Sequence, residues 1–145
     1  MIFETVIGKI NAWHTDGNDN LHISGLSSAQ FSFILNESEK SSKFIKENNF
    51  IFICDSIDQA EDLYESFNSS TITKKILFYP GHDLSPYSGA ITSERALFER
   101  FKVLNYLANK NDNDSYIIIS TFESFSLKVP PRSFFKDFNF KIEVS

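Results

Sequence analysis

The chain carries three short runs in which nearly every residue is apolar. They are FIFIC at 50–54, KILFY at 75–79 and YIIIS at 116–120. A continuous apolar run of this length, bounded by polar residues, is typical of a parallel strand that is buried on both faces. Two weaker segments, LHIS at 21–24 and FKIEV at 140–144, predict further short strands, the second from its alternating pattern.

Helical spacing of apolar residues fills most of the chain between these runs. Phe3, Ile7 and Ile10 lie on one face of a predicted helix in the first 13 residues. A polar stretch at 15–20 ends that helix. Further helices are predicted at about 28–48, at 56–67, at 93–108, and from 120 to the two prolines Pro130 and Pro131.

Local spacing predicts where two of these helices begin and which face a third one buries. Ser56 with Gln59, and Ser120 with Glu123, have the spacing of a capping box, in which each side chain bonds to the other residue's backbone N–H. The helix at 93–108 is expected to face the core with an apolar stripe of four residues: Leu97, Phe101, Leu104 and Ala108.

The order of the predicted elements indicates the fold class. Strands that alternate with helices, three of them apolar throughout, predict an α/β fold in which helices cover both faces of a parallel sheet. We therefore expect a three-layer, doubly wound and mostly parallel sheet. The length of 145 residues is that of a single domain. Within residues 1–145 we distinguish an N-terminal helix and polar turn at 1–20 from an α/β core at 21–145.

Composition and charge exclude several classes of protein. The net charge is −5, and it is uneven: residues 1–94 hold six Lys against thirteen acidic residues, whereas residues 95–145 carry a small positive excess. No clustered basic surface is evident, so the chain alone is a poor candidate for gripping duplex DNA. No stretch approaches the roughly 20 apolar residues of a membrane span. One cysteine, Cys54, suits a reducing compartment, and we expect a cytoplasmic protein.

The most informative motif is GLSSAQFS at 25–32, between a predicted strand and a predicted helix. A phosphate-binding loop in this context reads Gly, four residues, Gly, Lys, and Ser or Thr; its amides and lysine hold the phosphates, and its hydroxyl holds Mg²⁺. Gly25 and Ser32 have this spacing, which also arises by chance, but Gln30 replaces the second glycine and Phe31 the lysine. We therefore expect no ATP binding of the usual kind and no cofactor for this chain.

Two further sets of residues are candidates for catalysis or metal binding. The loop at 80–91 places His82 beside Asp83 and contains two serines, Ser85 and Ser88. We interpret this loop as a Pro- and Gly-rich connection and predict no catalytic residue, because adjacency in sequence does not make a triad. The three histidines and Cys54 show no ligand spacing, so no metal site is predicted.

A surface for single-stranded nucleic acid is the last candidate from the residues alone. It would combine stacking aromatic rings with cations that contact phosphates. A solvated helix face with half-buried tyrosines is the simpler interpretation, and we favour it. The residues concerned are Tyr79, Tyr87, Tyr106, Arg95, Arg100 and Lys102.

Two longer strings resemble a known family. The chain reads SPYSGAITSERALFERFKVLNYL at 85–107 and YIIISTFESFSLKVPPRSFF at 116–135. A Pro-Tyr loop (Pro86-Tyr87), a Ser-Glu-Arg helix start at 93–95, a leucine-rich helix at 97–107, a strand at 117–120 and a Pro-to-Phe stretch at 130–135 follow in this order. Together they resemble the N-terminal module of bacterial transcription-repair coupling factors, the Mfd family. The similarity covers about residues 21–145 and is strongest over 78–135.

The resemblance implies a particular fold and a particular history for the loop at 25–32. That module is similar to the first domain of the excision-repair subunit UvrB, a helicase-like α/β domain with a working phosphate loop. In coupling factors the loop has lost its nucleotide-binding residues. The resemblance therefore implies a degenerate P-loop NTPase domain with a vestigial loop at Gly25, Gln30, Phe31 and Ser32. The loop at 80–91 is too short for the long β-hairpin of UvrB, which favours the coupling factor.

The resemblance also implies a function. The chain is expected to be an N-terminal fragment, truncated before the next domain, and to serve as a non-catalytic scaffold in transcription-coupled nucleotide excision repair. The parent is an ATP-dependent DNA translocase that displaces stalled RNA polymerase and recruits UvrA, with ATP and Mg²⁺ bound at its motor. Expected partners are the UvrA-binding domain and motor of the parent, and through them UvrA, RNA polymerase and DNA. Two alternatives stay open: a functional UvrB-like nucleotide-binding helicase lobe, and a small nucleic-acid-binding α/β module.

Overall fold

A computed structural model describes residues 2–15, 21–81 and 94–137. Three strands and seven helices lie within these ranges. The strands are β1 (Phe50–Cys54), β2 (Lys75–Tyr79) and β3 (Tyr116–Thr121). The helices are α1 (Ile2–Thr15), α2 (Ser28–Ser41), α3 (Lys43–Glu47), α4 (Ile57–Asn68), α5 (Glu94–Asn109), α6 (Phe122–Phe125) and α7 (Arg132–Asp137).

The three predicted apolar runs form one parallel sheet, with β3 in the centre and the order β1-β3-β2. In the register, Ile118 of β3 lies beside Ile51 of β1 on one side and beside Leu77 of β2 on the other. Both connections that lead from one strand to the next in sequence contain a helix, as parallel pairing requires. The prediction of an α/β fold with a parallel sheet is therefore confirmed.

Helices cover the two faces of the sheet unequally. On the first face, which we call the α4 face, α4 packs on β3, α2 packs on α4, and α1 packs on α2. Buried residues of these helices form one hydrophobic core with the β3 side chains Ile117 and Ile119. On the second, the α5 face, Val103 of α5 packs against β2 and against Ile118 of β3. Successive β3 side chains point to opposite faces, so this one strand contributes to both hydrophobic cores.

Strand β1 departs from the prediction that all three apolar strands are buried on both faces. The side chains of Ile51 and Ile53 are 54% and 56% exposed. They lie on the α5 face, and α5 packs over β2 and β3 rather than over β1. Among the described residues, β1 therefore lies at an edge of the sheet, and no helix covers its apolar side chains on the α5 face.

The strand predicted at 21–24 is not formed, because the described residues there have irregular structure. Only Ile23 of this segment packs against the core. One contacting side chain contributes too little to offset the entropy of ordering a strand at a sheet edge. The loop at 25–32 therefore begins a helix without a strand before it. The strand predicted at 140–144 lies outside the described residues.

Two helix boundaries differ from those predicted. The stretch at 28–48 divides at Ser42, whose side chain accepts a hydrogen bond from the N–H of Ile45 and so starts α3. The helix after β3 is capped by Thr121, which accepts from the N–H of Ser124, and not by Ser120. That helix ends at Phe125, well before the two prolines, and α7 begins directly after them.

Helix α5 presents the predicted face to the core only in its second half. Of the predicted stripe, Ala108 is buried and Leu104 packs against the core of the α5 face. The first two residues of the stripe, Leu97 and Phe101, are each almost half exposed. Phe101 instead contacts Phe135 of α7, with ring centroids 5.2 Å apart. Packing against α7 therefore gives Phe101 an apolar partner away from the sheet.

Candidate functional site

The loop at 25–32 lies beside the carboxyl end of β1, where ligands bind in many open α/β sheets. A cavity of about 410 Å³ separates the loop from Cys54 of β1 and from Gln59 in the first turn of α4. Gly25 has a φ of +78°, a conformation that L side chains rarely adopt, so glycine is required there. The structure therefore places this loop beside the carboxyl end of β1, although the strand predicted before it is not formed.

The amide groups at the start of α2 are partly occupied by the chain itself. Ser27 is the N-cap, and its Oγ accepts a hydrogen bond from the N–H of Gln30 at 3.3 Å. In return, the Gln30 Oε1 accepts from the N–H of Ser27 at 2.9 Å. In a phosphate loop, amides in this position bind the anion. The exposed Gln30 side chain therefore serves as part of the helix cap.

Neither Phe31 nor Ser32 is placed to bind a nucleotide. The Phe31 ring packs edge-on against Phe52 of β1 and Phe67 of α4, with centroids 5.1 and 6.3 Å apart. The buried hydroxyl of Ser32 donates to the carbonyl oxygen of Ala29 at 3.0 Å. The position that would carry the lysine thus belongs to the hydrophobic core, and the hydroxyl that would hold Mg²⁺ is bonded within the helix.

The charge around the loop opposes phosphate binding. A second, open cavity lies against the start of α2 and is bordered by the α4 carboxylates Asp62 and Glu65. No lysine or arginine is among the described residues that line either cavity. Carboxylates this near a triphosphate would repel it, and no cation compensates. Among the described residues that line the two cavities, the loop therefore has carboxylate neighbours and no cationic side chain to pair with a phosphate.

A second polar cluster lies at the carboxyl ends of β2 and β3, around the buried side chain of Arg100. Its Nη1 donates to the carbonyl oxygens of Pro80 at 2.8 Å and Ser124 at 3.4 Å. Its Nη2 donates to the Tyr79 hydroxyl at 2.6 Å, and the guanidinium lies 4.2 Å from the centre of the Tyr79 ring. No carboxylate among the described residues pairs with Arg100. The arginine therefore acts as a hub that joins the end of β2 to α6.

Hydroxyl groups complete this cluster. Ser120 donates to the carbonyl oxygen of Tyr79 at 2.6 Å, and the hydroxyls of Thr121 and Ser124 lie 2.7 Å apart. Burial raises the pKa of the Tyr79 phenol, although the Arg100 guanidinium opposes this shift. Sequence reasoning missed the cluster because it placed Arg100 on a solvated helix face. One signal was present: Arg100 stands at helical spacing with Ala96 and Val103, both buried.

The other residues considered for catalysis, metal binding or nucleic-acid binding either lie apart from one another in the structure or fall outside the described residues. His82, Asp83, Ser85, Ser88 and Tyr87 are outside the described residues. In the described part of the chain, no three His, Cys, Asp or Glu side chains lie close enough to hold a metal ion. The nucleic-acid candidates are divided: Tyr79 and Arg100 are buried against each other, and Lys102 pairs with Glu99 at 3.3 Å.

Cys54 is expected to be an inert thiol. Burial at the end of β1, followed by the charge of Asp55, raises the pKa of the Cys54 thiol. Since only the thiolate reacts, we expect alkylation at pH 7.5 to be about tenfold or more slower than in the unfolded chain. Iodoacetamide labelling followed by mass spectrometry, with and without denaturant, measures this difference. Equal rates in the two conditions would show that the thiol is as accessible, and ionises as readily, in the folded protein as in the unfolded chain.

Within the described residues, the fold and the two clusters define a class: an α/β protein with a three-stranded parallel sheet, a loop at 25–32 that begins a helix beside the carboxyl end of β1, and a buried arginine hub. None of the helices in the described ranges is both long and apolar enough to cross a membrane. Comparison with protein-family models, with curated proteins and with solved structures finds no match for this chain.

Proposed function

We propose that the chain is a non-catalytic scaffold domain of the degenerate P-loop, helicase-like type. The observation that carries this proposal is the position of Phe31, whose ring packs in the core against Phe52 and Phe67 where a phosphate loop would have its lysine. The Ser27–Gln30 capping box supports it, because this box uses amides that would otherwise bind an anion. The absence of a cation among the described residues that line the loop's cavities supports it further.

We further propose that this domain is the N-terminal module of a bacterial, cytoplasmic transcription-repair coupling factor. The support is the order of motifs from 78 to 135, together with a fold in which the loop at 25–32 lies at the carboxyl edge of a parallel sheet. In this proposal the domain supports the neighbouring UvrA-binding domain and helps to hold the resting protein closed against its motor. UvrA, RNA polymerase, DNA, ATP and Mg²⁺ are then bound by other parts of the parent chain.

A calorimetric titration with ATP and ADP, with and without Mg²⁺, tests the non-catalytic function. We expect no heat of binding up to millimolar nucleotide, and no nucleotide-dependent rise in the unfolding temperature. Titration with Mg²⁺ alone is the control for non-specific heat. Micromolar binding that depends on Mg²⁺ would contradict the scaffold function and favour the helicase-lobe alternative.

A further inference from the structure

A further cavity lies on the α5 face, among residues that the structure describes. Its volume is about 190 Å³, and it lies between the sheet, α5 and the segment at 125–129. Ile118 of β3 and Val103 of α5 form buried walls of this cavity. Phe125 and Val129 also line it and are 44% and 50% exposed. The cavity therefore reaches the surface, where a molecule can enter it.

The lining of this cavity is apolar apart from one side chain. Of the eight described residues that line it, seven are aliphatic or phenylalanine, and the eighth is Tyr79 of β2. An apolar cavity of about 150 Å³ stays dry and binds benzene, because a water molecule needs two or more polar partners. The cavity on the α5 face is slightly larger than that. Its size and lining therefore suit an apolar molecule of roughly six to nine non-hydrogen atoms better than water.

The Tyr79 hydroxyl gives the lining its one polar side-chain group. Tyr79 is 5% exposed, and its hydroxyl accepts a hydrogen bond from the Arg100 Nη2 at 2.6 Å. Among the described residues, no oxygen accepts the proton of this hydroxyl. A buried donor without an acceptor is costly, and donation from a cation makes this O–H a stronger donor. A bound molecule that carries an acceptor would therefore gain a hydrogen bond from Tyr79.

The surroundings also determine the charge of the molecule that fits. The Arg100 guanidinium donates to the carbonyl oxygens of Pro80 and Ser124 as well as to Tyr79. It does not line the cavity, and none of the described lining residues is a cation. Moving an unpaired charge into apolar surroundings costs far more than moving a neutral polar group. A neutral acceptor, such as a carbonyl group, is therefore favoured over a carboxylate or a phosphate.

We propose that this cavity binds a small, neutral, mostly apolar molecule whose carbonyl oxygen accepts a hydrogen bond from the Tyr79 hydroxyl. Val103, Ile118 and Phe125 contact the apolar part of the molecule, and Arg100 positions the phenol. No described residue lines both this cavity and a cavity beside the loop at 25–32. The site is therefore separate from that loop, and the proposal does not depend on the scaffold function.

A matched pair of probes tests the site in the full chain. Acetophenone and α-methylstyrene have nearly the same shape, but only acetophenone has a carbonyl oxygen. The methyl signals of the aliphatic side chains are followed by NMR while each probe is added. We expect both probes to shift the methyl signals of Val103, Leu107 and Ile118. Acetophenone should bind about fivefold more tightly, which is the effect of one hydrogen bond between neutral groups.

Two variants separate the contribution of the hydroxyl from that of the apolar walls. In Tyr79→Phe, we expect acetophenone to bind no more tightly than α-methylstyrene, whose own affinity should change less than twofold. In Leu107→Trp, the larger ring would fill the cavity, so both probes should bind at least tenfold more weakly. The matched control is Leu97→Trp, the same change at an exposed position of α5, which should leave binding unchanged.

Three results would overturn the proposal. If neither probe shifted the signals of the lining residues up to its solubility limit, the cavity would not be a binding site. If both probes bound the unaltered chain equally well, the Tyr79 hydroxyl would donate no hydrogen bond to the ligand. If the same signals shifted as the protein concentration rose, with a dimer in sedimentation, a second copy of the chain would occupy the cavity. Circular dichroism identifies any variant that fails to fold, and the two probes on the unaltered chain then still decide the role of the hydroxyl.

Discussion

Replacing Arg100 by methionine should lower the free energy of unfolding by about 3 kcal/mol. Methionine keeps much of the apolar stem but donates no hydrogen bond, so the buried oxygens of Pro80, Ser124 and Tyr79 lose their partner. The variant also removes a buried charge, whose desolvation destabilises the folded state. The expected loss in free energy of unfolding is therefore smaller than the loss of three separate hydrogen bonds would give. Urea unfolding followed by circular dichroism measures the change, with the slope expected to stay constant.

The matched control for this variant is Arg95→Met. Arg95 lies five residues earlier on α5 and is exposed, so the same change should alter the free energy of unfolding by less than about 0.5 kcal/mol. If Arg100→Met lowered the free energy of unfolding no more than Arg95→Met does, Arg100 would not be the hub that joins β2 to α6. An increase in stability would mean that desolvation of the charge outweighs its hydrogen bonds.

Replacing Phe31 by lysine should destabilise the protein by about 3 kcal/mol and should not produce ATP binding. The variant places an ammonium where a ring now packs against Phe52 and Phe67. Even if the lysine side chain turned outward, the Ser27–Gln30 capping box would still occupy the start of α2, and Asp62 and Glu65 would still repel phosphate. Thermal unfolding and calorimetric titration of the same sample measure the two effects.

Phe98→Lys provides the same chemical change at an exposed site. Phe98 lies on the outer side of α5 and is 65% exposed, so we expect a cost below about 0.5 kcal/mol. If both variants lost a comparable free energy of unfolding, the introduction of a lysine would be responsible for the loss, and not the position of residue 31 in the core. Tight, Mg²⁺-dependent ATP binding by Phe31→Lys would show that the loop at 25–32 still has the geometry of a phosphate site.

The loop at 25–32 illustrates how far sequence reasoning reaches. Phe31 stands where a phosphate loop would have its lysine, which the sequence shows directly, and this predicts from chemistry alone that the loop does not bind nucleotide in the usual way. The role of Gln30 was not readable, because only the structure shows its side chain bonded to the N–H of Ser27. The prediction of a strand before the loop was wrong. The sequence pattern of residues 21–24 is that of a short strand, but an irregular segment can have the same pattern. Short patterns leave such choices to tertiary contacts.

The amino-acid sequence alone determined the three strands of the described sheet, the α4 cap at Ser56 and the α/β class. These features depend on runs of apolar residues and on hydrogen bonds between residues close in the chain. Tertiary structure alone decided which strand lies in the centre of the sheet, which residues in the first half of α5 are buried, and where Arg100 finds its partners. Those outcomes depend on contacts between residues some twenty or more positions apart, such as Arg100 with Pro80 and with Ser124. No local spacing encodes such contacts, because they exist only once the helices have packed on the sheet.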